Sequence, residues 1–212
     1  MTADMTADMI VNAIVTLVVT IDPVGLAPLF LAVTVGMDRG QRREVGTRAI
    51  AIAFAIMVLF AVLGTAILAI FGVTLAAFRV AGGLLLFAIA FEMIFEKRQE
   101  RHENTATRAV TNDRLRSVAV FPLAIPLIAG PGAISAVVLL SGDFAGPLAR
   151  LALIAIVAGI LTVTWAVFIL AERVDRLLGE TGRSVLTRLL GVILSALAVQ
   201  FVADGVRTLM AA

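Results

Sequence analysis

The sequence predicts an all-α integral membrane protein: six transmembrane helices in two inverted-topology repeats of three, with the first and fourth helices broken at mid-membrane. Composition is the first observation behind this, because 61% of the 212 residues are hydrophobic and 15% charged, with a mean hydropathy of +1.07, far from the mix of a soluble domain. Length is the second: at about 20 residues per span plus short connections, the chain suits about six crossings. The third is charge placement. Lys and Arg number four in 36–48, six in 96–117 and four in 172–188, leaving only Arg79, Arg150 and Arg207 elsewhere. By the positive-inside rule those three basic segments are cytoplasmic loops, which puts both termini outside and requires an even number of spans.

The spans follow in order. The first runs from about Met9 to Val35 with Asp22 as its only charge. Stretches 49–78, 117–142 and 151–171 contain no Asp, Glu, Lys or Arg and read as the second, fourth and fifth spans, each long enough to cross about 30 Å of hydrocarbon. The third, about Val73 to Phe95, carries Arg79 and Glu92 near its ends, and the sixth, about Val185 to Arg207, carries Arg188 and Asp204 in the same way. These four charges are expected to snorkel to the interface, a pairing between the halves being the alternative. The N-terminal MTADMTADMIVNAIV lacks the basic n-region of a cleavable signal and reads as mature sequence.

Function classes fall away with the composition. Without cysteine there is no thiolate metal site and no cysteine nucleophile. A net charge of +2, with the arginines in loops, argues against nucleic acid. The sole histidine, His102, lies in the charged segment from Glu96 to Arg116 and reads as solvated surface. No metal and no cofactor are expected, and no catalytic residue. One tryptophan, Trp165, and no tyrosine leave the usual interfacial aromatic belt almost empty.

That charged segment divides the chain into a first repeat, 1–95, a cytoplasmic linker, 96–117, and a second repeat, 118–212, all one membrane domain. Arg79 to Gly82 (RVAG) is echoed by Arg188 to Gly191 (RLLG), and Asp22-Pro23 by Gly130-Pro131, at offsets of 109 and 108 residues. Three spans per half is odd, so the repeats would be inverted, as in many secondary transporters.

The chemistry concentrates in two strings. IDPVGLAPLF holds Asp22, Pro23, Gly25 and Pro28 near the middle of the first span, and FPLAIPLIAGPGAIS holds Pro122, Pro126, Gly130, Pro131 and Gly132 in the fourth. Proline and glycine at this density oppose an unbroken helix. A break leaves N–H and C=O groups costing several kcal/mol each in hydrocarbon, so it survives only where protein, water or a ligand satisfies them. Two breaks at one depth predict a shared polar cavity whose helix N-termini suit a carboxylate and whose free carbonyls suit a cation or ammonium. Asp22, the one acid at the membrane centre, reads either as a proton or ammonium partner or as a helix N-cap, roles that are compatible. Ser135 follows the second break and lines the cavity or bonds to its own helix. Asn12, Thr16, Thr20 and Gln200 are further cavity-lining candidates, the first three reading chiefly as interhelical hydrogen bonding; Gly82, Gly83 and Gly191 read as close helix packing.

With these strings in view, DPVGLAPLF followed by a basic segment, a charged mid-chain linker and then PLAIPLIAGPG resembles the MarC family of six-span bacterial membrane proteins. The resemblance covers nearly the whole chain and matches the family's signature segments at Asp22, Pro23, Gly25, Pro28, Pro122, Pro126, Gly130, Pro131 and Gly132. It implies a bacterial cytoplasmic (inner) membrane protein related to transporters of small neutral amino acids, grouped with lysine-exporter-like proteins. The expectation is a secondary transporter working by alternating access, whose partners are a small solute, H+ or Na+ and the lipid bilayer, with a homo-oligomer compatible. The rivals are an ion channel or ion or metal exporter using the same cavity, and an intramembrane hydrolase pairing Asp22 with Asp204.

Overall fold

A computed structural model describes residues 7–95 and 119–211. The linker at 96–117, His102 and the first six residues lie outside them. Among the described residues all regular structure is helical: α1 (Ala7–Ile21), α2 (Pro23–Val33), α3 (Arg39–Ile70) and α4 (Leu75–Ile94), then an irregular wide coil Ala119–Ile128, and α5 (Pro131–Asp143), α6 (Pro147–Ile169) and α7 (Ala171–Met210). Ala7–Val33, α3, α4, α6 and the Arg176–Met210 part of α7 are each long and apolar enough to cross a membrane. The coil and α5, bent by 56°, make the sixth when counted as one span.

Two basic segments expected as loops are helical instead. Arg39, Arg42, Arg43 and Arg48 all lie on α3, which starts at Arg39 because Asp38 and Gln41 form a reciprocal capping box, an arrangement that satisfies two orphan donors at once. Glu44 and Arg48 add an (i, i+4) ion pair at 2.7 Å. The 172–188 segment is likewise part of α7, kinked where Gly179 takes φ 59, ψ −178. The second span also ends earlier than the charge-free stretch suggests. Gly72 at φ 66 turns the chain, and Thr74 caps α4 by accepting from Ala77 N at 3.1 Å.

The centre of the bundle is built from Ala7–Val33 and α5. Two thirds of the first span is buried, 67% against 22–33% for the other single-helix spans, and α5 buries nearly every residue from Gly132 to Ser141. Packed around them, α3 lies on α5, α6 and the 119–128 coil, while α4 lies on α5 and α7.

The α4–α7 contact is the most intimate, and glycine makes it so. A Cβ on Gly83 would meet the Ala198 carbonyl oxygen at 2.9 Å, one on Gly205 the Ala76 oxygen at 2.9 Å, and one on Gly191 the Ala90 oxygen at 3.1 Å. Backbone cannot retreat as a side chain can, so these positions fix the interhelical distance, as small residues do between membrane helices. Gly83→Val should therefore destabilise the protein by about 1–3 kcal/mol, the usual cost of overpacking. Gly159→Ala, whose Cβ meets nothing within 4 Å, should be silent; thermal unfolding in detergent compares the two.

Candidate functional site

The first interruption is one residue wide. Asp22 takes a left-handed backbone conformation (φ 54, ψ 67) between α1 and α2, the sole non-glycine with positive φ among the described residues and a region Asp tolerates better than most. Its N–H still donates to Val18 O at 2.9 Å and its carbonyl accepts from Leu26 N at 3.0 Å. Its Oδ1 accepts from Gly25 N at 3.0 Å, with Pro23 in the first helical turn. A Cβ on Gly25 would lie 2.3 Å from Asp22 Oδ2, so only glycine leaves room for the capping carboxylate. Pro23 and Pro28 have no N–H, which leaves the Val19 and Val24 carbonyls without their usual helical donors.

The second interruption is longer. Phe121 (φ −131, ψ 125) and Ile125 (φ −129, ψ 125) are extended within the coil, each just before a cis peptide to Pro122 or Pro126. The chain then turns at Gly130 into α5, with Pro131 in its first turn. Gly130 is extended at φ −80, ψ 172, and no side chain caps the helix. A Cβ on Gly130 would sit 2.3 Å from the Pro126 carbonyl oxygen. Gly132 sits between α4 and the first span: a Cβ there would lie 2.3 Å from Ile89 Cδ1 of α4 and 3.4 Å from Thr20 Cγ2 of α1.

Thr20 precedes Asp22 by two residues, so the two interruptions are neighbours inside the bundle. Asp22, Pro23, Gly25, Thr16, Thr20, Pro122, Gly130, Gly132 and Ser135 are buried around them, Pro28 and Pro126 are half-buried, and Pro131 is exposed. Within α1, Thr20 Oγ1 donates to Thr16 O at 2.5 Å and Thr16 Oγ1 to Asn12 Oδ1 at 3.3 Å.

Asn12 and Gln200 belong elsewhere. They line a separate cavity of about 130 Å³ with Arg79, Asp143 and Asp204; Asn12, ten residues before Asp22, lies about 15 Å along the helix from it. Gln200 Nε2 donates to both carboxylate oxygens of Asp204, at 3.0 and 3.1 Å. Asp204 thus lies with Asn12 rather than beside Asp22, and the two carboxylates form no catalytic pair, which would need about 3 Å.

Arg79 does not snorkel. It is ion-paired to Asp143, with the two side chains 20% and 33% exposed, joining α4 of the first half to the end of α5 in the second. Asp143 is the residue sequence reading missed. The available signal was a lone acid ending the charge-free 117–142 stretch while a lone arginine opened the third span.

The cap gives a sharp expectation. Asp22→Asn keeps an acceptor for Gly25 N and a side chain tolerant of positive φ, so stability should change by less than about 0.5 kcal/mol. Asp22→Ala loses both and should cost about 1–2 kcal/mol, read by denaturation in detergent.

The sequence pattern of MarC family integral membrane proteins matches residues 7–210. The chain is 36% identical to a UPF0056 membrane protein of Archaeoglobus fulgidus over 186 residues, covering 87% of this chain and 86% of that one. It is 33% identical over 187 residues to UPF0056 membrane protein YhcE of Escherichia coli, covering 88% and 86%. With UPF0056 membrane protein YvbG of Bacillus subtilis identity is 31% over 186 residues, covering 88% of each. No solved structure matches the chain.

Proposed function

Because the chain belongs to the MarC family of integral membrane proteins, we propose that it is a secondary transporter moving small neutral amino acids, or similarly small polar solutes, by alternating access. One observation carries this: the segment around Asp22 and the start of α5 approach each other in the buried centre, with Thr20 lying 3.4 Å from the position a Gly132 side chain would take. Irregular backbone at membrane depth is tolerated only where protein or a polar cavity surrounds it, and in transporters such breaks form the substrate site.

The two breaks differ in sign, which favours a zwitterion. Asp22 brings a carboxylate, and the prolines free carbonyls nearby, so an ammonium group is attracted there. Gly130 offers no side chain, and the first turn of α5 lacks a capping acceptor, leaving its N–H groups and partial positive charge for a carboxylate. Glycine at 25, 130 and 132, where added Cβ atoms would meet neighbours at 2.3 Å, lets the Asp22 carboxyl, the Pro126 carbonyl and Ile89 pack directly against the backbone of the two segments.

An inverted repeat supplies the moving parts in this reading. Shifted by the 109-residue offset between Arg79 and Arg188, the contact of Gly191 with Ala90 becomes one of Gly82 with Val199. The observed contact is Gly83 on Ala198, one residue away, as expected if a two-fold axis in the membrane plane relates α4 to α7. With the arginine-rich helix ends in the cytoplasm of the bacterial inner membrane, both termini are outside. Asp22 is the proposed proton carrier.

Proteoliposomes containing the protein should take up labelled alanine or glycine above empty liposomes under an imposed proton gradient. Asp22→Asn should abolish gradient-driven accumulation while leaving solute exchange. Flux equal to that of empty liposomes under every gradient and polarity would refute transport, and undiminished accumulation by the variant would refute the proton role alone.

A further inference from the structure

A second site lies at the arginine-rich end of the bundle, at the far end of α2 from Asp22. Arg39, Arg42 and Arg43 at the start of α3 and Arg173 at the start of α7 surround a cavity of about 340 Å³ whose wall includes Phe30 and Phe168, stacked with centroids 4.4 Å apart. Glu172 is the acid in its lining; it is 61% exposed and pairs with Arg42 at 2.6 Å. Four arginines therefore line the cavity with one acid. Arg42 also keeps a buried Nε–H with no hydrogen-bond acceptor among the described residues.

An apolar groove of about 380 Å³ lies beside this cavity along the seam of α3 and α6, lined by Thr47, Ile50, Phe54, Ala158, Thr162 and Trp165 among others. The two are joined by a pair of residues. Arg43 of the basic cavity sits 5.7 Å from the centroid of the Trp165 ring, within cation–π range, and Trp165 Nε1 donates to Thr47 Oγ1 at 3.0 Å. From Arg43 the lining continues along one stripe of α3, through Thr47, Ile50 and Phe54, one turn at a time. On α6 it continues through Trp165, Thr162 and Ala158.

A cluster of arginines beside an apolar groove between two membrane-spanning helices has the polarity of one ligand class. Guanidinium forks match phosphate oxygens, tryptophan settles at headgroup level, and basic pockets at membrane surfaces hold anionic headgroups. We propose that this seam is a binding site for an anionic phospholipid, its phosphate among Arg39, Arg42, Arg43 and Arg173 and one acyl chain in the Thr47–Phe54 groove beside Trp165. Glu172 is a competing anion in the site, and Trp165, though it forms no belt, has a defined partner.

Trp165 is the only tryptophan and there is no tyrosine, so intrinsic fluorescence reads this site alone. The intact protein would be placed in phosphatidylcholine bilayers containing a small fraction of phosphatidylglycerol or phosphatidylcholine brominated on its acyl chains, which quenches tryptophan on contact. Brominated phosphatidylglycerol should quench several-fold more strongly than brominated phosphatidylcholine at equal fraction. Arg39→Gln and Arg173→Gln should each lower the apparent preference by about fivefold, from about 1 kcal/mol per basic residue at an anionic surface. Glu172→Gln should raise it, and Ala51→Leu, which adds bulk to the groove that Ala51 also lines, should remove quenching while leaving the arginines intact. Equal quenching by the two lipids, or none by either because a second copy covers the seam, would overturn the assignment. So would loss of the preference on adding excess inorganic phosphate, which would make the ligand a soluble phosphate ester.

Discussion

Hydrocarbon offers a peptide group no hydrogen bond, and each N–H or C=O left unpaired there costs several kcal/mol. A chain that puts Asp-Pro and Gly-Pro-Gly into two of its spans has to answer that cost locally. It does so unequally. At the first interruption Asp22 is bonded through its N–H, its carbonyl and its side-chain carboxyl, so the helix is barely disturbed and an acidic side chain is held in the core. At the second, Gly130 provides a carbonyl to Ile134 N at 3.0 Å but has no side chain with which to cap α5. The same Pro-led helix start is therefore capped by a side chain in the first half and uncapped in the second.

The surroundings hold these interruptions against each other. Gly83, Gly191 and Gly205 bring α4 and α7 to backbone distance, and Arg79–Asp143 ties α4 to the far end of α5. That ion pair is partly buried and is matched by charge and geometry; removal of one partner would strand the other, which is where such pairs exert most of their effect. The Asn12–Gln200–Asp204 cavity lies at this tie, on the same helix face as Thr16 and Thr20, and gives the first span a polar stripe from one end to the centre.

Much of this was legible in the residues, and the parts that were not have physical reasons. Charge-free stretches locate spans because ionised groups are excluded from hydrocarbon, and the proline and glycine strings locate the irregular backbone because proline lacks a donor. Helix ends depart from the charge pattern where Arg39–Arg48 and 172–188 are helical. Positive charge marks a boundary of the membrane but not of the helix, and a capping box can start a helix well outside the lipid. Asn12 and Gln200 lie at a different depth from Asp22; helical spacing fixes a face and leaves the depth open. The Arg79–Asp143 pair depends on tertiary approach of residues 64 apart, which no local pattern encodes. The left-handed turn at Asp22 leaves no sequence signature beyond Asp-Pro itself.

The claim on which the functional reading rests is that the two interruptions share one solute-accessible centre. The chain has no cysteine, so Thr20→Cys and Ser135→Cys, made singly, report on the two sides of that centre without background. In membranes, both should react with a small hydrophilic thiol reagent, and one small neutral amino acid should slow both reactions with the same concentration dependence. Two inert cysteines, or protection of one position without the other, would contradict a common site.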